Sequence, residues 1–142
     1  MLLASAGASA ECQIVSIKDA VTNTRFVQYG GWSGWSEQKF NAICAKLKRA
    51  HARLQINSAA VVLVNQSIGW AHVSVVDMDT GVSTSDFATY STQVNTYASQ
   101  DKANELMVLA INNAVDSWPN LDGALAALDK ERQKARATLS RR

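Results

Sequence analysis

One proline and seven glycines in 142 residues leave few places to break the chain. That scarcity excludes a collagen-like or low-complexity chain and predicts few, fairly long elements. No apolar run reaches the roughly 18 residues that a membrane-crossing helix needs, so no membrane span is expected. Histidine occurs twice, at His51 and His72, and cysteine twice, at Cys12 and Cys44. Such scarcity leaves no metal-ligand spacing, and no Gly-rich phosphate loop or Gly-x-Ser-x-Gly elbow is present. Cys44 and His51 are seven residues apart on one expected helix, two turns from each other, which does not make a nucleophile–base pair. No catalytic residue, metal or cofactor is assigned from these features.

What is present fits one globular domain. Hydrophobic residues make up 47% and charged residues 18% of the chain, enough apolar surface to bury a core. Met1-Leu2-Leu3 through Ala8-Ser9-Ala10 resembles the end of an export signal with a small-x-small cleavage site. Residues 1–10 are therefore expected to be a signal-peptide remnant or a disordered arm, and 11–142 one α+β domain. Glu11 before Cys12 departs from a lipobox. In an exported chain Cys12 and Cys44 form one disulfide, closing about 33 residues at roughly 3.5 to 4 kcal/mol. A periplasmic or secreted location follows as the expectation.

Along the chain, 12–29 alternates weakly and predicts one or two short strands around Thr22-Asn23-Thr24. Gly30 to Trp35 is a loop by composition. Ser36 and Glu37 open a helix whose stripe is Phe40, Ile43, Cys44, Leu47, Ala50 and Leu54. Ala59–Val64 is continuously apolar, the pattern of a strand covered on both sides. Ser67-Ile68-Gly69 predicts a turn, followed by a strand over 70–78, the turn Asp79-Thr80-Gly81, and one long strand over 82–97 with a break inside it. Two helices close the chain, over 101–118 and from Leu121. The fold expected is a three-stranded, or larger, antiparallel sheet with two main helices on one face: an α-β-β-β-α core plus a C-terminal helix.

Charge is unevenly spread. Residues 37–53 carry five Lys/Arg and one Glu, 54–128 one Lys and seven acids, and 129–142 six Lys/Arg and two acids. A dipolar chain of this kind suits an acidic protein surface or its own second copy as partner. The contact surface expected from sequence is Trp32 and Trp35 with the basic helix face at Lys46, Arg49 and Arg53.

Several short strings resemble known families. Trp32-Ser33-Gly34-Trp35-Ser36 resembles the WSxWS string of class I cytokine receptors and the tryptophan repeat of thrombospondin type 1 modules. It runs directly into a helix, without their β-sandwiches or cysteines, and reads instead as two indoles clamping a loop or forming a contact patch. Asp79-Thr80-Gly81 resembles the triplet of aspartic proteases, which need two carboxylates; a hairpin turn explains it. The α-β-β-β-α order is similar to double-stranded-RNA-binding domains. Their basic cluster at the start of the last helix is replaced here by Asp101, Lys102 and Glu105. The stretch Val73–Gly81 with the polar strand and Ala-rich helix after it resembles periplasmic lipoproteins of the curli-secretion and penicillin-binding-protein-activator kind. The function expected is a non-enzymatic binding module, such as an inhibitor, immunity or envelope-assembly protein. A nucleic-acid-binding module and a small hydrolase with an unrecognised site are the alternatives.

Overall fold

The computed structural model describes residues 16–17, 20–34, 36–118 and 120–141. In order these form β1 (Ser16–Ile17), α1 (Ala20–Gln28), α2 (Glu37–Ala50), β2 (Ala52–Val62), β3 (Ser67–Asp77), β4 (Ser83–Asn95), α3 (Gln100–Asp116) and α4 (Leu121–Ser140). The fold is the α+β class expected, with the α-β-β-β-α core and C-terminal helix present; a further helix, α1, precedes them. Sheet order is β1-β2-β3-β4, and the two-residue β1 adds in parallel beside Gln55 and Ile56 of β2.

Strand alternation sends Leu54 and Ile56 of β2 and Ala71, Val73 and Val75 of β3 to one face. There they join Leu47 of α2, Met107, Ile111 and Val115 of α3, and Leu121 and Leu128 of α4 in one buried cluster. Helix α3 lies so close that a Cβ on Gly69 would sit 2.1 Å from the backbone N of Met107 and 2.2 Å from the carbonyl carbon of Leu106. Glycine is required there by the approach of another backbone. The residue expected in a turn is instead a strand position that lets a helix lie flat on the sheet.

Helix starts follow the sequence closely. Ser36 Oγ accepts from Lys39 N and Ser99 Oγ from Lys102 N, each satisfying one orphan donor of a first turn. Helix α2 stops earlier than its apolar stripe promised. His51 takes a left-handed conformation (φ 54°), and its N–H donates to the carbonyls of Leu47 and Lys48. Arg53 and Leu54 therefore belong to β2 and not to the helix.

Two further expectations are corrected. The 20–28 segment is α1, and the expected turn Thr22-Asn23-Thr24 lies inside it. Its Val and Thr content favours strands only weakly. Burial of Phe26 and the bond from Tyr29 Oη to Asp101 Oδ1 (2.5 Å) hold it as a helix against α3. Ala59–Val64 is not covered on both sides: Val62 and Leu63 are exposed and Val64 fully so, because they form the tip of the β2–β3 hairpin. The break expected in the long third strand is present. Register slips between Thr89 and Thr84 where they face Val73 and Val75, and Phe87 in the intervening residues has φ 61°.

Candidate functional site

Asp77 is the most strongly held ionisable group. It ends β3 beneath the hairpin turn that the Asp79-Thr80-Gly81 string announced. Its Oδ2 accepts from Thr80 N (2.8 Å) and Thr80 Oγ1 (2.7 Å), and its Oδ1 from Arg132 Nε (2.7 Å) and Nη2 (2.6 Å). Burial would raise the pKa of this carboxyl. The Thr80 and Arg132 donors outweigh it and hold the group at about 2, against an ordinary 3.8. Arg132 also donates to the carbonyls of Ala50 (2.7 Å) and His51 (3.1 Å) and to Asp129 (2.8 Å). One guanidinium thus ties α4 to the end of α2 and to the β3–β4 turn. Both carboxylate oxygens of Asp77 accept hydrogen bonds, Oδ2 from Thr80 and Oδ1 from Arg132, so the arrangement is a structural latch. It does not have the geometry of a shared-proton carboxylate pair.

The basic face of α2 is partly neutralised within the chain. Lys39 Nζ meets Asp116 at 2.6 Å and Lys46 Nζ meets Asp122 at 3.1 Å, across a shallow cleft of about 150 Å³ that Ile43 and Trp118 also line. The charge segregation read from sequence is thus in part an attraction between α2 and the α3–α4 junction. At the start of α3, Lys102 is bound to Glu105 at 2.8 Å.

The residues expected to form one contact surface do not come together. Trp32 is half-buried and packs edge-on against Phe26 (4.9 Å) and Phe40 (6.4 Å), closing the core under the Gly-rich loop. Asn112, buried on α3, pins that loop by donating to Gly31 O and accepting from Ser33 N, both at 2.9 Å. Trp32 is therefore a clamp. Lys46 lies at the α2–α4 cleft, Arg49 is exposed one turn further, and Arg53 is half-buried on β2 with its Nη1 buried and unpaired. Trp35 and Cys12 lie outside the described residues. Cys44 packs against the core cluster from α2.

A different surface emerges from the register. On the sheet face turned away from the helices, three cross-strand rows stand side by side: Val61, Ile68, Val94; Ala59, Trp70, Thr92; and Asn57, His72, Tyr90. None of the nine is an acid, a lysine or an arginine. Trp70 is 37% exposed, Tyr90 70% and Val94 56%. His72 stacks on Tyr90 with ring centroids 4.6 Å apart, and neither of its cross-strand neighbours carries a carboxylate. Toward Arg53 the same face is closed, since Ser74 and Val76 are buried. The open end continues into the exposed hairpin tip at Leu63 and Val64.

Sequence reasoning missed this surface. Its signal was present: 54–76 holds no Asp, Glu, Lys or Arg, too long an uncharged stretch for strands expected to show a solvated face.

Among the described residues no cluster of His, Cys, Asp or Glu could hold a metal ion, and no helix is long and apolar enough to cross a membrane. No known family model matches the chain, and no curated protein is significantly similar to it in sequence.

Proposed function

We infer that the protein is a non-enzymatic binding module that acts in the periplasm or outside the cell and captures another protein on the outer face of its sheet. The observation that carries this reading is the uncharged field of nine cross-strand positions centred on Trp70, with Trp70, Tyr90 and Val94 open to solvent. Trp and Tyr are among the residue types that most often dominate the centre of an interface. Exposed apolar surface gathered at Trp70, Tyr90 and Val94 on a folded domain marks a contact site. The expected partner offers an apolar patch there, and the acidic surface expected from sequence has at most a rim role opposite Arg49. Location outside the cytosol is supported by the Ala8-Ser9-Ala10 string and the Cys12 and Cys44 pair.

The nucleic-acid reading is less favoured because this face holds no phosphate-neutralising side chain. That reading would use the basic helix α2 and the basic tail after Lys130, and on α2 both Lys39 and Lys46 are already paired, with Asp116 and Asp122.

The test is photocrosslinking in cells that express the protein, with a photoreactive phenylalanine at position 70 or at position 49. The expected result is one discrete adduct to a different protein from position 70 and none from position 49. An adduct from position 49 alone overturns the reading in favour of the basic helix.

A further inference from the structure

We propose that β4 is also a pairing edge, through which two copies of this chain join their sheets antiparallel into one continuous sheet. The pairing runs through the backbone edge of β4; its outer-side residues Tyr90, Thr92 and Val94 also belong to the outer field, so it shares surface with the partner-binding reading without depending on it.

The strand β4 is the last in the sheet order, with only β3 beside it. Its two halves differ. From Ser83 to Ala88 the strand is interrupted by the register slip and by the left-handed Phe87, and it carries Asp86, its one charged residue. A cleft between Phe87 and α4, lined also by Lys130 and Lys134, flanks this half. A bulge, a charge and a covering helix are the means by which a sheet edge is kept from pairing. From Thr89 to Asn95 none of them is present. The ladder to β3 is unbroken from Val73↔Thr89 to Ser67↔Asn95, and the segment holds no proline and no charged residue. Among the described residues its backbone makes no hydrogen bond outside that ladder.

The segment is also complementary to itself. A twofold axis at Thr92, its midpoint, sets Thr89 opposite Asn95 and Ser91 opposite Gln93 on the helix side. On the outer side Tyr90 falls opposite Val94, twice. Aromatic against β-branched is among the stabilising cross-strand pairs, and no like charges meet. Tyr90 and Val94 are both well exposed in the single chain, so the contact covers apolar surface that is otherwise wet. A symmetric edge contact of this kind is closed after two copies. It would also unite two outer faces into one platform.

The test uses the full chain in sedimentation-velocity runs from about 1 µM to about 1 mM. Dimer is expected to accumulate with concentration. Thr92→Lys places two like charges across the axis and should leave only monomer over that range, as should Thr92→Glu. Mixing the two variants should restore dimer. Thr92 is exposed, and unchanged far-ultraviolet dichroism and melting certify the fold of each variant. Amide exchange of the wild type should slow with concentration within 89–95. A wild type that stays monomeric, a dimer indifferent to Thr92→Lys, or protection gained elsewhere in the chain overturns the proposal.

Discussion

Replacing Arg132 by alanine tests the latch that joins α4 to the rest of the fold. The guanidinium is largely buried and makes two contacts to Asp77 Oδ1, donates to the Ala50 and His51 carbonyls, and reaches Asp129. Its removal leaves a buried carboxylate oxygen and the last carbonyl of α2 without their donor. Breaking one side of a buried pair costs about 3 to 5 kcal/mol. Thr80 still holds the other carboxylate oxygen, and Arg132 retains some solvent access, so the lower end applies: about 3 kcal/mol. For a chain of this length that corresponds to a melting temperature lower by roughly 10 °C. Urea unfolding followed by tryptophan fluorescence measures the loss directly. Arg132→Lys keeps the charge without the planar fork and should recover only part of it. A loss below about 1 kcal/mol for Arg132→Ala would show that the pair is an ordinary surface contact and refute the reasoning.

Acid should act through the same latch. Because Asp77 titrates lower folded than unfolded, its contribution is complete above pH 3.8 and is lost as pH falls toward about 2. After allowance for solvent screening that contribution is on the order of 1 to 2 kcal/mol. Asp77→Asn should be less stable at neutral pH and should flatten the loss over that window, as thermal melts at stepped pH would record. Gly69→Ala should cost about 3 kcal/mol, since the new methyl meets the α3 backbone and no flexible side chain can yield; chemical denaturation measures it. Intact mass should rise by two hydrogens on reduction if Cys12 and Cys44 are bridged, and the reduced chain should lose roughly 3.5 to 4 kcal/mol. An unchanged mass refutes the bridge.

The long helices, the three-strand core and the interruption in β4 were legible because each is written locally. The cap at Ser36, the apolar stripe of α3 and the uneven 82–97 segment need no distant partner. The first segment was misread because its strand-favouring Val and Thr residues are overruled by burial of Phe26 and by Tyr29, whose partner Asp101 lies 72 residues along the chain. Arg53 was placed on the helix because the apolar spacing runs on to Leu54, while the αL stop at His51 is a backbone event without a glycine to announce it. The site was the least legible part. Lys46 looked available for a partner because Asp122 is 76 residues away. Trp32 reads from sequence as either a clamp or a contact patch, and the choice between them is not legible there because Asn112, which pins its loop, lies 79 to 81 residues away. The outer face exists only through register: Trp70, Tyr90 and Val94 are ordinary strand residues until pairing sets them side by side.

The central claim is that binding runs through the uncharged outer face and not through the basic helix. Its most direct measurement is the affinity of the partner recovered by the position-70 crosslink, titrated by calorimetry at low and high salt. The account predicts an affinity nearly flat with salt, abolished by Trp70→Lys and untouched by Arg49→Glu. An affinity that falls steeply with salt and is lost with Arg49→Glu, while Trp70→Lys binds as the wild type does, would contradict it.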